Sequence, residues 1–161
     1  MGVELNLTSK SRYALKIMLD LAHHDHLPHV PRKDIARRQR IPQDYLDQIM
    51  IRLRRGNIVE SIRGRSGGYR LAKPAKDITV WELFEAVEGN LEPVQCIPVG
   101  QSCDLDVGCL SQPAWKLIFS KMKQSLEGLT IGDLVGEKLY EFPEFVTGVS
   151  ECRAPVSSAS L

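Results

Sequence analysis

Between Thr8 and His24 the apolar positions recur at a helical interval. Tyr13, Ile17 and Leu21 fall four apart, and Ala14 and Met18 widen the stripe. This predicts an amphipathic helix whose start Thr8 or Ser9 can cap. Residues 25–31 hold Pro28 and Pro31 and read as a loop. "RKDIARRQR" then predicts a short helix with Ile35 and Ala36 inward and arginines outward. After a break at Ile41-Pro42, "PQDYLDQIMIRLRR" predicts a second helix with Tyr45, Leu46, Ile49 and Leu53 as its buried stripe. Pro42 is tolerated in a helix's first turn, and Gly56-Asn57 stops the helix. Two short helices joined by a tight turn form a helix-turn-helix candidate.

The period changes at Ile58. Ile58, Glu60 and Ile62 alternate with Val59 and Ser61, Gly64, Gly67 and Gly68 mark a turn, and "YRLAK" returns. This is a β-hairpin with a basic, glycine-rich tip. Helical spacing resumes at "DITVWELFEAVEG", where Thr79 and Glu82 have the spacing of a capping box. "QPAWKLIFSKMKQSLEG" predicts a long helix with Trp115, Ile118, Phe119, Met122 and Leu126 on one stripe, and Thr130 starts a last short one. The fold class expected is mainly α with a small β-hairpin wing, built on a winged helix-turn-helix domain. No internal repeat is visible.

Charge sharpens this picture. The net charge of the 161 residues is only +1. Residues 31–73, however, carry twelve Lys/Arg against four Asp/Glu, and residues 74–161 carry six against thirteen. A basic block joined to an acidic one suggests that the first half meets a polyanion. No apolar run approaches the length that crosses a bilayer, and the first residues lack the apolar core of a signal peptide. A cytoplasmic protein without a membrane partner is expected.

Within the basic block, Gln43, Asp44, Asp47 and Gln48 fall off the buried stripe of their helix. Gln can bond adenine with both amide atoms, and Asp can accept from cytosine. Arg37, Arg38, Arg52, Arg54 and Arg55 are placed to meet phosphates. At the hairpin tip Arg63 and Arg65 flank Gly64, where an arginine can enter a minor groove. A solvated basic face is the simpler account of any one of these features. Two helices, a basic hairpin and a local net charge of +8 in this order favour duplex DNA. The "RGRSGG" tip lacks the nucleotide-binding P-loop pattern, and no nucleophile–base set suggests an enzyme.

Three of the four cysteines, Cys96, Cys103 and Cys109, lie in "CIPVGQSCDLDVGC". Structural zinc sites usually show cysteines two residues apart and a fourth Cys or His, and a redox-active pair would also be closer. Wider spacing suits an iron–sulfur cluster, whose irons span a larger frame. Free thiols, a reversible disulfide or an adventitious zinc site remain alternatives on spacing alone. Asp104 and Asp106 lie between the thiols, and Cys152 falls in a small, polar tail. His23, His24, His26 and His29 crowd a helix end, where surface residues are a simpler reading than a metal site.

"LTSKSRYALKIMLDLA", "IPQDYLDQIMIRLRRGNIVESIRGRSGGYRLAK" and "CLSQPAWKL" together resemble the IscR/NsrR-type regulators, a family of winged-helix iron–sulfur transcription factors. The similarity runs from about Leu7 to Val135. It implies a homodimer that binds an operator in double-stranded DNA, with the dimer helix opening near Pro113. It implies cluster ligation by Cys96, Cys103 and Cys109. It places Gln43, Asp44, Tyr45 and Gln48 on the recognition helix and Arg63 in the minor groove, and it matches Asp47 to an acidic position that discriminates between operator classes. The organisation that follows is a DNA-binding domain over 1–80, a dimerisation helix and cysteine segment over 81–140, and a flexible tail over 141–161. Gln112 stands where the IscR pattern has a ligand histidine, and Arg12 where the NsrR pattern has a ligand aspartate. The fourth ligand is therefore open among Asp104, Asp106, Cys152 and solvent, and both 2Fe–2S and 4Fe–4S clusters remain consistent. A cluster-free, thiol- or effector-responsive regulator of the same fold is the alternative.

Overall fold

The computed structural model describes residues 7–64, 67–89, 91, 109 and 111–136. Six α-helices, one hairpin and a 3-10 turn at Ala75–Asp77 make up the described chain: α1 (Ser9–His23), α2 (Arg32–Gln39), α3 (Gln43–Arg55), β1 (Val59–Ile62), β2 (Gly68–Leu71), α4 (Val80–Glu88), α5 (Ser111–Glu127) and α6 (Ile131–Val135). The fold is the mainly helical, winged one that the sequence patterns predict. Arg65, Cys96, Cys103, Asp104, Asp106, Cys152 and the expected 141–161 tail lie outside the described residues.

Thr8 is the residue that caps α1, its hydroxyl accepting from the Lys10 amide at 3.1 Å. Ala14, Ile17, Met18 and Leu21 are buried, as their spacing requires. The stripe of α3 differs in one member: Leu46, Ile49, Met50 and Leu53 are buried, while Tyr45 is only half-buried. Tyr45 sits at the rim, edge-to-face on Tyr13 with ring centroids 5.4 Å apart. Between α2 and α3 the turn is made by Arg40, in the left-handed conformation. The same conformation appears after α3 at Asn57 and not at Gly56. Asn is among the few residues that adopt it readily.

β1 and β2 pair antiparallel, Val59 opposite Leu71 and Ile62 opposite Gly68. The sheet has a third contributor that the loop reading of 25–31 missed. Val30 bridges to Tyr69 through two backbone bonds of 2.7 and 2.9 Å. Gly68 makes this approach possible, because a Cβ there would overlap the Val30 carbonyl. The base of the wing is thus fastened to the segment that leads into α2.

One continuous core joins the helix-turn-helix to α4 and α6, with Ile35, Leu46, Ile49, Leu53, Ile78, Leu83, Val87 and Ile131 all buried. Capping boxes start both later helices, Thr79 with Glu82 and Thr130 with Asp133. The strand-like stretch before α4 also pairs with the one before α6, through Val80 N–H to the Leu129 carbonyl and Ile131 N–H to the Ile78 carbonyl, both 2.8 Å. Helix α5 leans on α4 through Trp81 and Phe119, 5.8 Å between ring centroids, with the Lys123 ammonium over the Trp81 ring. None of its side chains is buried, and Leu117 and Ile118 are 61% and 54% exposed.

One charge lies inside. Asp20 is 4% exposed and accepts from Arg38 Nε at 2.8 Å, Arg38 Nη2 at 2.7 Å and Gln39 Nε2 at 3.0 Å. Burial pushes its carboxyl pKa up. The Arg38 and Gln39 hydrogen bonds and the Arg38 charge outweigh that and hold the group below the usual aspartate range. Arg38, expected at a DNA phosphate, instead ties α2 to α1.

Because the folded-state pKa is depressed, the Asp20 contribution to stability is present above the ordinary aspartate value and is lost as pH falls through the folded value. Arg38→Ala should cost about 3 kcal/mol, the lower end for breaking a buried pair, since Arg38 keeps 32% of its side chain exposed. Urea denaturation at pH 7 and at about pH 3 checks both points. The gap between wild type and Arg38→Ala should shrink at the lower pH, where the aspartate of the unfolded chain takes up a proton and the depressed pKa of the folded state no longer stabilises fully.

Candidate nucleic-acid interface and cysteine segment

Helix α3 presents one polar face. Gln43, Asp44 and Gln48 are exposed and Asp47 is half-buried. Two of these four are bound by Arg32, the first residue of α2. Its Nη1 donates to Asp47 Oδ2 at 2.6 Å and its Nη2 to Gln43 Oε1 at 3.1 Å. Tyr69 of β2 lies in the same electrostatic neighbourhood. Burial raises its phenol above the ordinary value, the Asp47 carboxylate adds to this, and Arg32 and Arg54 partly offset it. The wing and the exposed face of α3 are therefore adjacent.

Beyond the strands, Arg63 is exposed, and Gly64 follows with φ of 130°, a conformation natural to glycine. The Gly67 amide closes the turn onto the Gly64 carbonyl at 3.1 Å. Of the expected DNA-contacting residues, Gln43, Asp44 and Gln48 of α3 and Arg63 of the wing are exposed. Tyr45 is engaged at the α1 boundary, its hydroxyl 3.4 Å from Ser9 Oγ.

Much of the local positive charge is balanced internally. Arg32, Arg37, Arg38, Arg70 and Lys73 pair with Asp47, Asp34, Asp20, Glu60 and Glu82. Lys33, Arg40, Arg54, Arg55 and Arg63 are exposed and form no ion pair among the described residues. Arg52, expected at a phosphate, donates from Nη1 to the Val87 carbonyl at 3.1 Å. That bond ties α3 to the last turn of α4.

The next residue, Glu88, makes a second tie, which the sequence reading did not single out. One carboxylate oxygen accepts from the Thr8 amide and hydroxyl at 3.0 and 2.7 Å and from the Ser11 amide and hydroxyl at 3.3 and 2.7 Å. Burial raises the Glu88 pKa, but these bonds dominate and hold it below the ordinary glutamate value. A carboxylate at the start of α1 also meets the positive end of that helix dipole. Its sequence signal is faint, a lone acid at a helix end eighty residues from its partners. Immediately beyond α4 runs the chain that carries the cysteines.

Of those cysteines only Cys109 lies among the described residues. It is half-buried just before α5, its sulfur 3.2 Å from Ser111 Oγ. Gln112, in the first turn of α5, is half-buried too. Among the described residues no group of three or more His, Cys, Asp or Glu could hold a metal ion. His23, His24 and His26 stand ring beside ring, and His24 Nδ1 lies 2.7 Å from the Asp20 carbonyl.

The comparisons with known proteins agree with this geometry. The family model Rrf2, described as "Iron-dependent Transcriptional regulator", matches residues 7–137. The chain belongs to the Rrf2 family. Among curated relatives, the HTH-type transcriptional regulator IscR of Photobacterium profundum is 39% identical over 131 residues, 81% of this chain and 76% of that protein. IscR of Escherichia coli is 37% identical over 134 residues, covering 83% and 82%. Among solved structures, CymR, the global cysteine regulator of B. subtilis, superposes with a TM-score of 0.70 at 30% identity, covering 82% of this chain and 97% of its own. T. potens IscR gives 0.65 at 27% identity, covering 91% and 94%. The protein is thus an IscR-like Rrf2 regulator of transcription that binds DNA, and its relatives are not enzymes. No helix among the described residues is long and apolar enough to cross a membrane.

Glu88→Ala removes the acceptor for four donors at the start of α1. Stability at neutral pH should fall by about 1–2 kcal/mol, the upper part of the range for losing an N-terminal cap. Thermal melts, with helicity followed by circular dichroism, measure it.

Proposed function

We propose that this Rrf2 regulator controls operator binding through an iron–sulfur cluster held by Cys96, Cys103 and Cys109. The observation that carries the reading is where the chain inserts these thiols. They lie in the segment that joins α4 to α5, Cys96 eight residues beyond Glu88, and the last turn of α4 is the one that Arg52 of α3 and Thr8 and Ser11 at the start of α1 both grip. The donor set fits such a group. Three thiols lie within one short segment, and Cys109 stands at the start of a helix. When bound, a cluster supplies a centre that oxidants, nitric oxide or iron shortage destroys. The fourth ligand and the choice between 2Fe–2S and 4Fe–4S stay open, because amide oxygen at Gln112 is a weak ligand for iron.

The chain's own residues then do the following. Gln43, Asp44 and Gln48 of α3 face base edges in the major groove, and Arg63 and Arg65 of the wing reach the adjacent minor groove. Tyr45 and Arg52, also expected at the DNA, brace α3 against α1 and α4. Arg54, Arg55, Lys33 and Arg40 meet phosphates. Two copies associate through α5, whose exposed Leu117 and Ile118 suit a second apolar surface, and bind a roughly palindromic operator with one half-site per copy. Residues 1–80 form the reading head and 81–140 the dimerising and sensing unit, in the cytoplasm. A change in the cysteine segment pulls on the end of α4 and so on the placement of α1 and α3.

A second reading has its own support. CymR of Staphylococcus aureus, whose solved structures include an oxidized form, is 25% identical with a TM-score of 0.65. In that reading the same thiols respond by oxidation without a cluster.

Anaerobic reconstitution with iron and sulfide analysis separates the two. The cluster reading expects coloured protein with stoichiometric iron and sulfide, lost on replacing any one of Cys96, Cys103 or Cys109 by Ala and kept in Cys152→Ala. Colourless protein that still changes DNA affinity with oxidant would support the thiol reading. On the DNA side, Arg63→Ala should weaken operator binding by about 1–3 kcal/mol with an unchanged melting temperature. Fluorescence anisotropy at fixed salt measures it, and an unchanged affinity removes Arg63 from the interface.

A further inference from the structure

Arg32 stands where a cation has no local reason to be. It opens α2, and the positive end of the helix dipole disfavours a guanidinium there. No glutamate or aspartate of its own helix is its partner. Both of its bonds reach across the turn to α3, to Asp47 at 2.6 Å and to Gln43 at 3.1 Å. Arg32 and Asp47 keep 42% and 36% of their side chains exposed, so the pair lies at the surface, on the polar face of α3.

The bond to Gln43 has a chemical consequence. Arginine has donors and no acceptor, so the amide atom that faces it must be the oxygen. The Gln43 amide then presents its NH2 outward. A glutamine that reads adenine with both amide atoms must turn oxygen and nitrogen to the base together. Held as it is, with its oxygen engaged by Arg32, Gln43 is biased to donate, to the O6 and N7 of guanine, the N7 of adenine or the O4 of thymine. Asp47 is constrained likewise. A bare carboxylate on a recognition helix accepts from the cytosine amine and repels base-edge acceptors. Paired with Arg32, its charge is offset and one oxygen is occupied, while guanidinium donors sit beside it.

We propose that Arg32 is a specificity-determining residue that sets α3 to select acceptor-bearing base edges, by holding Gln43 donor-outward and neutralising Asp47. The proposal deepens the reading of α3 as the recognition helix and rests on it. Arg32 positions the side chains that read the bases, and its loss changes which bases they prefer.

The test is selection of binding sites from a randomised duplex library by the full-length wild type, Arg32→Leu, Arg32→Lys, Asp47→Asn and Gln48→Ala, followed by anisotropy titrations on the selected sites. Arg32→Leu should enrich a half-site changed at one or two adjacent positions, toward adenine opposite Gln43 or cytosine opposite Asp47. The preference of the wild type for its own site over the changed one should fall about tenfold in the variant, within the range for one bidentate base contact. Arg32→Lys, which has no fork to hold two partners, should not restore it. A purely structural Arg32 would lower the melting temperature and weaken all sites equally. If Gln48→Ala changes the selected motif and Arg32→Leu does not, the proposal is overturned while α3 remains the reader. If neither changes it, α3 does not read the bases, and the proposal falls with that reading.

Discussion

The last turn of α4 is the constraint on which the arrangement of the reading head depends. Val87 offers its carbonyl to Arg52 of α3, and Glu88 offers its carboxylate to the start of α1. A free helix end leaves its last carbonyls unpaired. Here one of them is filled from α3. Each bond is worth only about 1–3 kcal/mol, yet together they fix the relative placement of α1, α3 and α4 at one point. The segment that carries the cysteines runs from beyond this turn to α5, and in the proposed mechanism a change at the thiols reaches α3 through the residues that hold it.

Charge in this molecule serves two purposes that sequence counting merges. The surplus of +8 over residues 31–73 suggests a strongly polyanion-seeking surface. In the fold, Arg38 is spent on Asp20 inside the domain, Arg32 organises α3, and Arg70 crosses the hairpin to Glu60. Surface pairs such as Arg70–Glu60 add little stability, but they remove those charges from the sum that a phosphate backbone feels. Among the described residues this leaves Lys33, Arg40, Arg54, Arg55 and Arg63 without an ion pair, and Arg52 bonded to a backbone carbonyl. A narrow set of phosphate contacts makes affinity less salt-dependent than twelve free cations would. It leaves more of the recognition to shape and base edges.

Periodicity made the helices legible, since burial of one face per helix is a local consequence of sequence. The hairpin, the Thr79–Glu82 capping box and the α1 stripe of Ala14, Ile17, Met18 and Leu21 came from short-range rules and hold in the structure, while Tyr13 of that stripe is only half-buried. The missed features all depend on partners far along the chain. Val30 looked like one apolar residue between prolines, and only the wing thirty-nine residues later gives it a strand to join. Asp20 gives no signal of its own in the sequence, because Arg38 and Gln39, which close over it, come from the next helix. Arg52 read as a phosphate contact because the Val87 carbonyl is invisible in a residue string. Tyr45 fits an apolar stripe by spacing, and its hydroxyl keeps it at the rim beside Ser9. Among the cysteines the residue string is richer than the structure, which describes Cys109 alone.

The central claim is that the state of the cysteine segment reaches DNA through the end of α4. The direct measurement is the operator dissociation constant of one anaerobic preparation before and after its thiols are changed, by chelation of iron or by mild oxidation, in wild type and in Glu88→Gln. Glu88→Gln keeps the size of the side chain and weakens the charge-assisted bonds to Thr8 and Ser11. The account predicts that wild-type affinity or site preference changes by about tenfold, a coupling on the order of 1.4 kcal/mol. It predicts that the change is much smaller in Glu88→Gln, with operator binding itself retained. Equal affinity in both thiol states of the wild type would contradict the account, and so would a response of full size in Glu88→Gln.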